Sequence, residues 1–310
     1  MAKVLVFDGI DENALAPLKR AGLEIVSNPQ ATSEDFASDD EVIGIILMMY
    51  PVDGAVMDRF PNLKIIARHG VGYDNVDLQA ASERGIAVTN TPGANAGAVA
   101  ETAITLMLMA GRLFETSHDA ITDKKAADYM VGKSGQQVSG KIVGIIGFGH
   151  IGQEIAKLLT GFGVHVLAYA RRDRDVPNGR MADLDEIFQQ ADFVVSALPA
   201  TPSTTGLIDQ KAFDKMKPST VVVNVGRGPV IDEAAMIASL KSGKIAAAGL
   251  DVVDQEPISP DNELLSLPNA FVLPHVAAHS KEADFEVAKT AAKNVLAVFE
   301  GKPAEDQVND

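Results

Sequence analysis

Short runs of β-branched and other apolar residues alternate with amphipathic stretches from the first residues of the chain onward. Runs at 4–7, 23–26, 42–48, 63–67 and 86–89 read as strands, and 12–21 has the spacing of an intervening helix. A second series opens at 142–146 and continues through 164–169, 193–198, 221–225, 246–250 and 271–273. Short apolar strands separated by room for helices form parallel sheets covered on both faces. The expected fold class is α/β, with two doubly wound parallel-sheet domains.

Between the two series, 95–112 is rich in Ala, Leu and Met and reads as a helix; a polar segment to Gly140 follows, broken at Gly132, Gly135 and Gly140. This is the expected crossover between domains. Near the other end, Ser280 is placed to cap a helix whose apolar positions Phe285, Ala288, Ala292, Val295 and Phe299 recur at helical spacing. A return of that helix to the first domain makes it discontinuous, 1–97 plus 283–310, around a second domain over 98–282. The two crossings then form a hinge over a cleft, a common setting for a ligand site.

Length and composition fit this division. The 310 residues are near twice the roughly 150 of a typical domain, and 46% apolar against 22% charged is globular composition. The polar tail after Gly301 is the one stretch expected to be disordered. With no cysteine there is no disulfide, thiolate ligand or cysteine nucleophile, which fits a reducing, cytoplasmic setting. The start shows no secretory pattern, and the apolar helix candidate at 103–110 is too short for a bilayer, so no membrane association is expected. A net charge of −15 repels nucleic acid and anionic membrane alike. An anionic small-molecule substrate must therefore meet locally placed cations.

The segment GFGHIG places Gly147, Gly149 and Gly152 in a G-x-G-x-x-G pattern. Alone the pattern is weak, but a strand at 142–146 feeds into it and 151–159 reads as the following helix, the setting in which a pyrophosphate meets a helix N-terminus. Gly147 suits the tight turn, Gly149 the approach of phosphates, and Gly152 close helix–strand packing. At the end of the next strand a carboxylate would accept hydrogen bonds from the ribose of NAD. Here that position is Ala170, followed by Arg171 and Arg172. Guanidinium forks suit a 2′-phosphate, so NADP(H) is the expected cofactor and NAD(H) the second choice. The bland alternative is a solvated loop, with Arg171, Arg172 and Arg174 partly neutralised by Asp173 and Asp175.

Three later segments place polar residues at strand C-termini, the edge where open α/β sheets bind ligands. They are NVGRGPVID with Arg227, GLDVVDQEP with Asp251 and Glu256, and LPHVAAHS with His275. Gly226 and Gly228 leave the backbone around Arg227 free to bend and present the guanidinium to a carboxylate. Hydride delivery to a carbonyl carbon leaves an alkoxide that needs a positioned acid, and histidine titrates in the useful range. A carboxylate beside it stabilises imidazolium, and Glu256 supplies one. After the first domain's 42–48 strand, Met48, Met49 and Tyr50 form either an adaptable apolar wall for substrate or simply the end of the core.

These segments, with RHGVGYDNVD at 68–77, NTPGANAGAVAE at 90–101 and LPATPSTTGLI at 198–208, closely resemble the D-isomer-specific 2-hydroxyacid dehydrogenase family over nearly the whole chain. The resemblance implies a flavodoxin-like substrate domain, a Rossmann cofactor domain and reduction of a small 2-oxo acid to its D-2-hydroxy acid. It implies that Arg227 holds the substrate carboxylate and carbonyl oxygen, that His275 donates the proton and pairs with Glu256, and that the amides of Val71 and Gly72 hold the carboxylate. For the cofactor it implies His150 near the pyrophosphate, Pro199 near the adenosine half and Asp251 receiving the nicotinamide carboxamide, with Ile151, Leu198, Thr204, Val225 and His275 as further cofactor contacts. It also implies a homodimer, and no metal.

Departures from the family pattern are the missing tryptophan in ADYMVGKSGQQVSGK at 127–141, expected to affect packing, and His279, open to reading as a second pocket residue, a spare acid or a helix-start hydrogen bonder, with the structural reading preferred. His69, His118 and His165 are expected to be non-catalytic. Phosphoglycerate dehydrogenase is the closest competing reading, opposed by the lack of lysine or arginine in LMMYPVDG at 47–54 and by the extra regulatory domain of its long forms. Formate oxidation is opposed by the acid at Glu256. A non-catalytic NAD(H)-sensing corepressor would need recruitment surfaces or tails, and none is visible.

Overall fold

In the computed structural model the described residues are 1–7, 10–28, 37–125, 127 and 134–310. The chain divides into two compact units, Met1–Asn95 with His279–Asp310, and Ala96–Ala278. Residues 128–133 of the 127–141 segment, Gly132 among them, lie outside the described residues, while Val138 is 2% exposed in the core of the second unit and the Gln136 amide donates to the Gly111 carbonyl at 2.7 Å.

The first unit is built on five parallel strands: β1 Lys3–Phe7, β2 Glu24–Asn28, β3 Val42–Leu47, β4 Ile65–Arg68 and β5 Ala87–Thr89. Their order is β2-β1-β3-β4-β5, the flavodoxin-like arrangement with its switch point between β1 and β3. The side-chain period of two divides the core: Val4 and Val6 of β1 pack in the cluster under Ala288, Ala291, Ala292 and Val295 of the helix Lys281–Phe299, and Leu5 and Phe7 pack on the opposite face. Each fully buried side chain of this size is worth about 1.5–3 kcal/mol. The helix expected over 12–21 is shorter, Ala16–Arg20. Pro17 in its first turn has no amide to donate, which suits only a helix start.

The long C-terminal helix starts where expected, with Ser280 Oγ accepting from the Ala283 amide at 3.1 Å. The tail beyond it corrects the sequence reading. Gln307 forms an antiparallel bridge with Thr89, the Val308 amide donates to the Val88 carbonyl at 2.8 Å, and Asn309 Oδ1 accepts from the Val88 amide at 2.7 Å. A polar composition gave no sign of this because backbone groups form the ladder. The tail covers the edge that β5 would otherwise leave open.

The second unit holds seven parallel strands: β6 Ile142–Ile146, β7 His165–Tyr169, β8 Gly179–Met181, β9 Phe193–Ser196, β10 Val221–Asn224, β11 Ala247–Leu250 and β12 Ala270–Val272. Their order is β12-β11-β10-β9-β6-β7-β8. Relabelled within the unit this is the Rossmann order extended by one strand. The helix Ala96–Arg112 lies wholly inside this unit and packs on β10, β11 and β12, so the expected crossover is confined to its N-terminal end. The edge strand β8, with Arg180 at its centre, has too little apolar pattern to be read from sequence. Among the described residues no single helix is long and apolar enough to cross a membrane.

Candidate functional site

The glycine turn is built as the motif demands. Gly147 follows β6 directly at φ +101°, a backbone conformation that strains other residues, and a Cβ there would lie 2.7 Å from the Ala197 carbonyl oxygen. A Cβ at Gly152 would collide with the Gly147 carbonyl, whereas one at Gly149 would meet nothing within 4 Å. Gly149 is the N-cap of the nine-residue helix His150–Leu158, makes no side-chain cap, and leaves the helix start to other acceptors. The residues present therefore fit a bound pyrophosphate, with His150 and Ile151 in the first turn of the helix.

Ala170 follows β7 and is half-buried, and Arg171, Arg172 and Arg174 are exposed. None of these three arginines forms an ion pair within 4.0 Å with a described residue. Past β9, Leu198 and Pro199 lead into a turn in which Thr204 Oγ1 donates to the Pro199 carbonyl at 2.6 Å and accepts from the Thr201 amide at 2.8 Å. Val225 continues β10, its amide bonded to the Ser196 carbonyl at 3.0 Å.

Arg227 lies three residues beyond β10, half-buried, with a guanidinium N–H on the Gly226 carbonyl at 2.9 Å. The buried Asn224 shapes its turn: its side chain donates to the Arg227 carbonyl at 3.0 Å and accepts from the Gly226 amide at 3.1 Å. The flanking glycines have a different reason from the one expected. Neither adopts a left-handed φ; a Cβ on Gly226 would strike the Leu198 backbone and one on Gly228 the Val253 carbonyl. They allow three strand-end loops to touch.

His275 sits three residues beyond β12 at φ +56°, a conformation uncommon for a side chain of this kind. Asp251, just past β11 and 1% exposed, holds it there. The His275 amide donates to the Asp251 carbonyl at 2.8 Å, and the Val276 and Ala277 amides donate to the two Asp251 carboxylate oxygens at 2.8 and 3.0 Å. His275 Nδ1 meets Glu256 Oε2 at 2.6 Å, and Glu256 Oε1 accepts from the Val253 amide at 3.2 Å. Partial burial pushes the Glu256 carboxyl up. The hydrogen bond and charge of His275, the Val253 amide and the charge of Arg227 together outweigh it and hold the group below its ordinary value. Glu256 is thus a carboxylate at neutral pH, aimed at the imidazole.

That direction fixes the sign of a pH effect. A depressed carboxyl pKa means that the pairing is present above the ordinary glutamate range and is lost only as pH falls through the lower folded value. In wild type the rate is therefore expected to fall on the acid side as Glu256 takes up a proton below its ordinary range, and Glu256→Gln, which cannot take up that proton, should lose this acid limb and run at a lower rate at neutral pH. Rate measurements from neutral pH down through the ordinary glutamate range check this, and a profile identical to wild type would separate the two residues functionally.

In the first unit, Val71 and Gly72 follow β4, Val71 being 37% exposed. Met48, Met49 and Tyr50 follow β3; Met49 is 71% exposed, while the Tyr50 ring packs edge-on against Phe7 at 5.8 Å. Tyr50 therefore serves the core as well as the loop. His69 is buried, its Nε2 3.3 Å from the Asp284 carbonyl, and burial pushes its pKa down. His118 and His165 are exposed. His279 is exposed and precedes Ser280, whose Oγ caps the helix as expected. Sequence reasoning missed Asn224 and Asn90, each a buried polar residue at a strand end, two residues before Gly226 and one before Thr91 respectively.

The second unit thus joins a dinucleotide turn to an acid-paired histidine and an arginine, the equipment of a nicotinamide-dependent oxidoreductase. The profile of the D-isomer specific 2-hydroxyacid dehydrogenase NAD binding domain matches residues 104–277. A hydroxypyruvate reductase of Thermotoga maritima is 38% identical, the alignment covering 92% of this chain and 94% of that protein. A D-3-phosphoglycerate dehydrogenase of Archaeoglobus fulgidus is 38% identical over 99% of this chain, which spans only 59% of that longer protein. The crystal structure of an NADPH-dependent glyoxylate/hydroxypyruvate reductase from Sinorhizobium meliloti, in complex with NADP and malonate, superposes with a TM-score of 0.86 at 34% identity, covering 99% and 96% of the two chains. The chain belongs to the D-isomer specific 2-hydroxyacid dehydrogenase family.

Proposed function

We propose that this chain reduces small 2-oxo acids to D-2-hydroxy acids and uses NADPH in preference to NADH. The observation that carries the reading is the 2.6 Å contact between Glu256 and His275, in reach of the Arg227 charge, at the C-terminal edge of a sheet with a dinucleotide turn. The glyoxylate and hydroxypyruvate reductases among its relatives support the substrate class, and the exposed arginines after Ala170 support the phosphorylated cofactor.

The glycine turn would hold the pyrophosphate of NADPH, and the cofactor when bound would supply the hydride. Arg227 orients the substrate carboxylate and stabilises negative charge developing on the carbonyl oxygen. His275 Nδ1–H stays on Glu256, which leaves Nε2–H to protonate that oxygen. Glu256, in contact with Nδ1 at 2.6 Å, fixes the ring orientation. In the first unit the Val71 and Gly72 amides suit a carboxylate and the Met48–Tyr50 loop an uncharged side chain.

The same reading includes a cytoplasmic homodimer. The lack of cysteine supports the compartment, and Phe114 and Ile121, 46% and 67% exposed on the helix Phe114–Thr122, support a covered face. A panel of 2-oxo acids assayed by absorbance with each cofactor tests the function. Glyoxylate, hydroxypyruvate and uncharged side-chain homologues are expected to react. Selective turnover of 3-phosphohydroxypyruvate would replace the reading with phosphoglycerate dehydrogenase, and no turnover of any 2-oxo acid would end it.

A further inference from the structure

Two adjacent backbone amides, those of Val71 and Gly72, make no hydrogen bond to any described residue. Their orientation is nevertheless fixed, through the carbonyls on the other side of the same peptide bonds. A trans peptide is planar, and its C=O and N–H point in opposite directions. The Gly70 carbonyl, which shares a peptide with the Val71 amide, accepts from the Thr91 amide at 3.1 Å. The Val71 carbonyl, which shares a peptide with the Gly72 amide, accepts from the side-chain Nδ2 of Asn90 at 2.8 Å. Both carbonyls are drawn toward the loop after β5, so both amides are turned away from it, side by side. Adjacent free amides of this kind form a concavity for an anion.

Asn90 is itself held. It is 9% exposed, and its own amide donates to the Asp306 carbonyl of the C-terminal tail at 3.2 Å. The Asp306 carboxylate in turn accepts at 3.0 Å from Nδ2 of Asn294, a buried side chain of the helix Lys281–Phe299. Main-chain pairing of β5 with the tail therefore sets where the Asn90 side chain can reach, and that side chain sets one of the two peptide planes.

We infer that Asn90, steadied by the tail at Asp306, is the positioning residue that aims the Gly72 amide at the substrate carboxylate. The inference rests on the oxo-acid reductase reading. Asn90 touches no reacting atom in this scheme; it acts on the peptide that does. An asparagine serves here because a buried donor is required for the Val71 carbonyl, and neither an apolar side chain nor a carboxylate supplies one.

The test compares wild type with Asn90→Ala and Asn90→Asp, measuring KM and kcat for glyoxylate, the inhibition constant of oxalate as a second carboxylate probe, the NADPH dissociation constant and the melting temperature. Loss of one directed, charge-assisted hydrogen bond is expected to raise the glyoxylate KM and the oxalate constant together by about ten-fold or more. The kcat should fall by a smaller factor, and NADPH affinity, which belongs to the other unit, should not change. Asn90→Asp is close to isosteric, so it carries the test if the alanine variant fails to fold. An unchanged KM and oxalate constant in an active enzyme would overturn the inference alone. So would parallel loss of kcat, NADPH affinity and melting temperature, since that describes general loosening. Wild-type protein inert toward every 2-oxo acid would remove the underlying reading, and the inference with it.

Discussion

Replacing His275 with alanine is expected to lower kcat for oxo-acid reduction by about 10²–10⁴-fold, the contribution of a positioned general acid, while the NADPH dissociation constant stays at its wild-type value. The geometry makes the two quantities separable. The His275 ring is committed through Nδ1 to Glu256 at 2.6 Å, whereas the pyrophosphate turn, Gly147 to Gly152, belongs to a different strand end. The backbone of the His275 turn is held by Asp251 through main-chain amides, and those bonds survive truncation of the side chain. Stopped-flow or steady-state rates with fluorescence titration of NADPH check the result. Turnover near wild type at neutral pH would take His275 out of the proton-donor role, and equal loss of rate and cofactor affinity would assign it to binding instead.

The second large effect is a reversal of cofactor choice. Wild type is expected to favour NADPH by roughly ten- to a hundred-fold in kcat/KM, since charge-assisted hydrogen bonds to a partly exposed phosphate are worth about 1.5–3 kcal/mol. The exposure of Arg171 and Arg172, and their lack of acidic partners among the described residues, leave both guanidinium groups available. Added salt should shrink the preference, because exposed charges are screened. The triple variant Ala170→Asp, Arg171→Ala, Arg172→Ala removes the forks and installs a carboxylate that accepts from a ribose and repels a phosphate, so it should favour NADH. The measurement is kcat/KM for both cofactors at two ionic strengths. A wild-type enzyme indifferent to the 2′-phosphate, or a triple variant that keeps its preference, would reduce the arginines to a solvated loop.

The parts of this site that could be read from sequence are those whose reason is local. A strand, a Gly147–Gly152 turn and a helix follow one another without interruption, so spacing alone located the dinucleotide turn. Arg227, Asp251 and His275 each follow a strong apolar strand closely enough to be placed at the correct edge of the sheet. The parts that could not be read depend on contacts distant in sequence. Nothing in LPHVAAHS reveals that His275 takes a left-handed backbone conformation, because Asp251 imposes it from another loop. The glycines around Arg227 invite an argument from flexibility, yet their actual reason is the backbone of Leu198 and Val253 pressing against them. The same holds for the tail: hydrophobic patterning cannot report a ladder whose partners are the main-chain groups of Val88 and Thr89. β8 escaped notice because an edge strand with Arg180 outward has little apolar pattern to display.

The interleaving of the two units along the chain has a consequence for biosynthesis. A ribosome adds about 5–20 residues per second, and domains fold as units when they emerge. The cofactor unit, Ala96–Ala278, is continuous and can complete its seven-stranded sheet while the chain is still being made. The other unit cannot. Its five strands are synthesised first, but the helix that covers Val4, Val6 and Ile46 on one face, and the tail that pairs with β5, come from His279–Asp310. Residues 1–95 therefore precede the cofactor unit in synthesis yet finish folding after it, and their apolar sheet face depends on His279–Asp310 for cover.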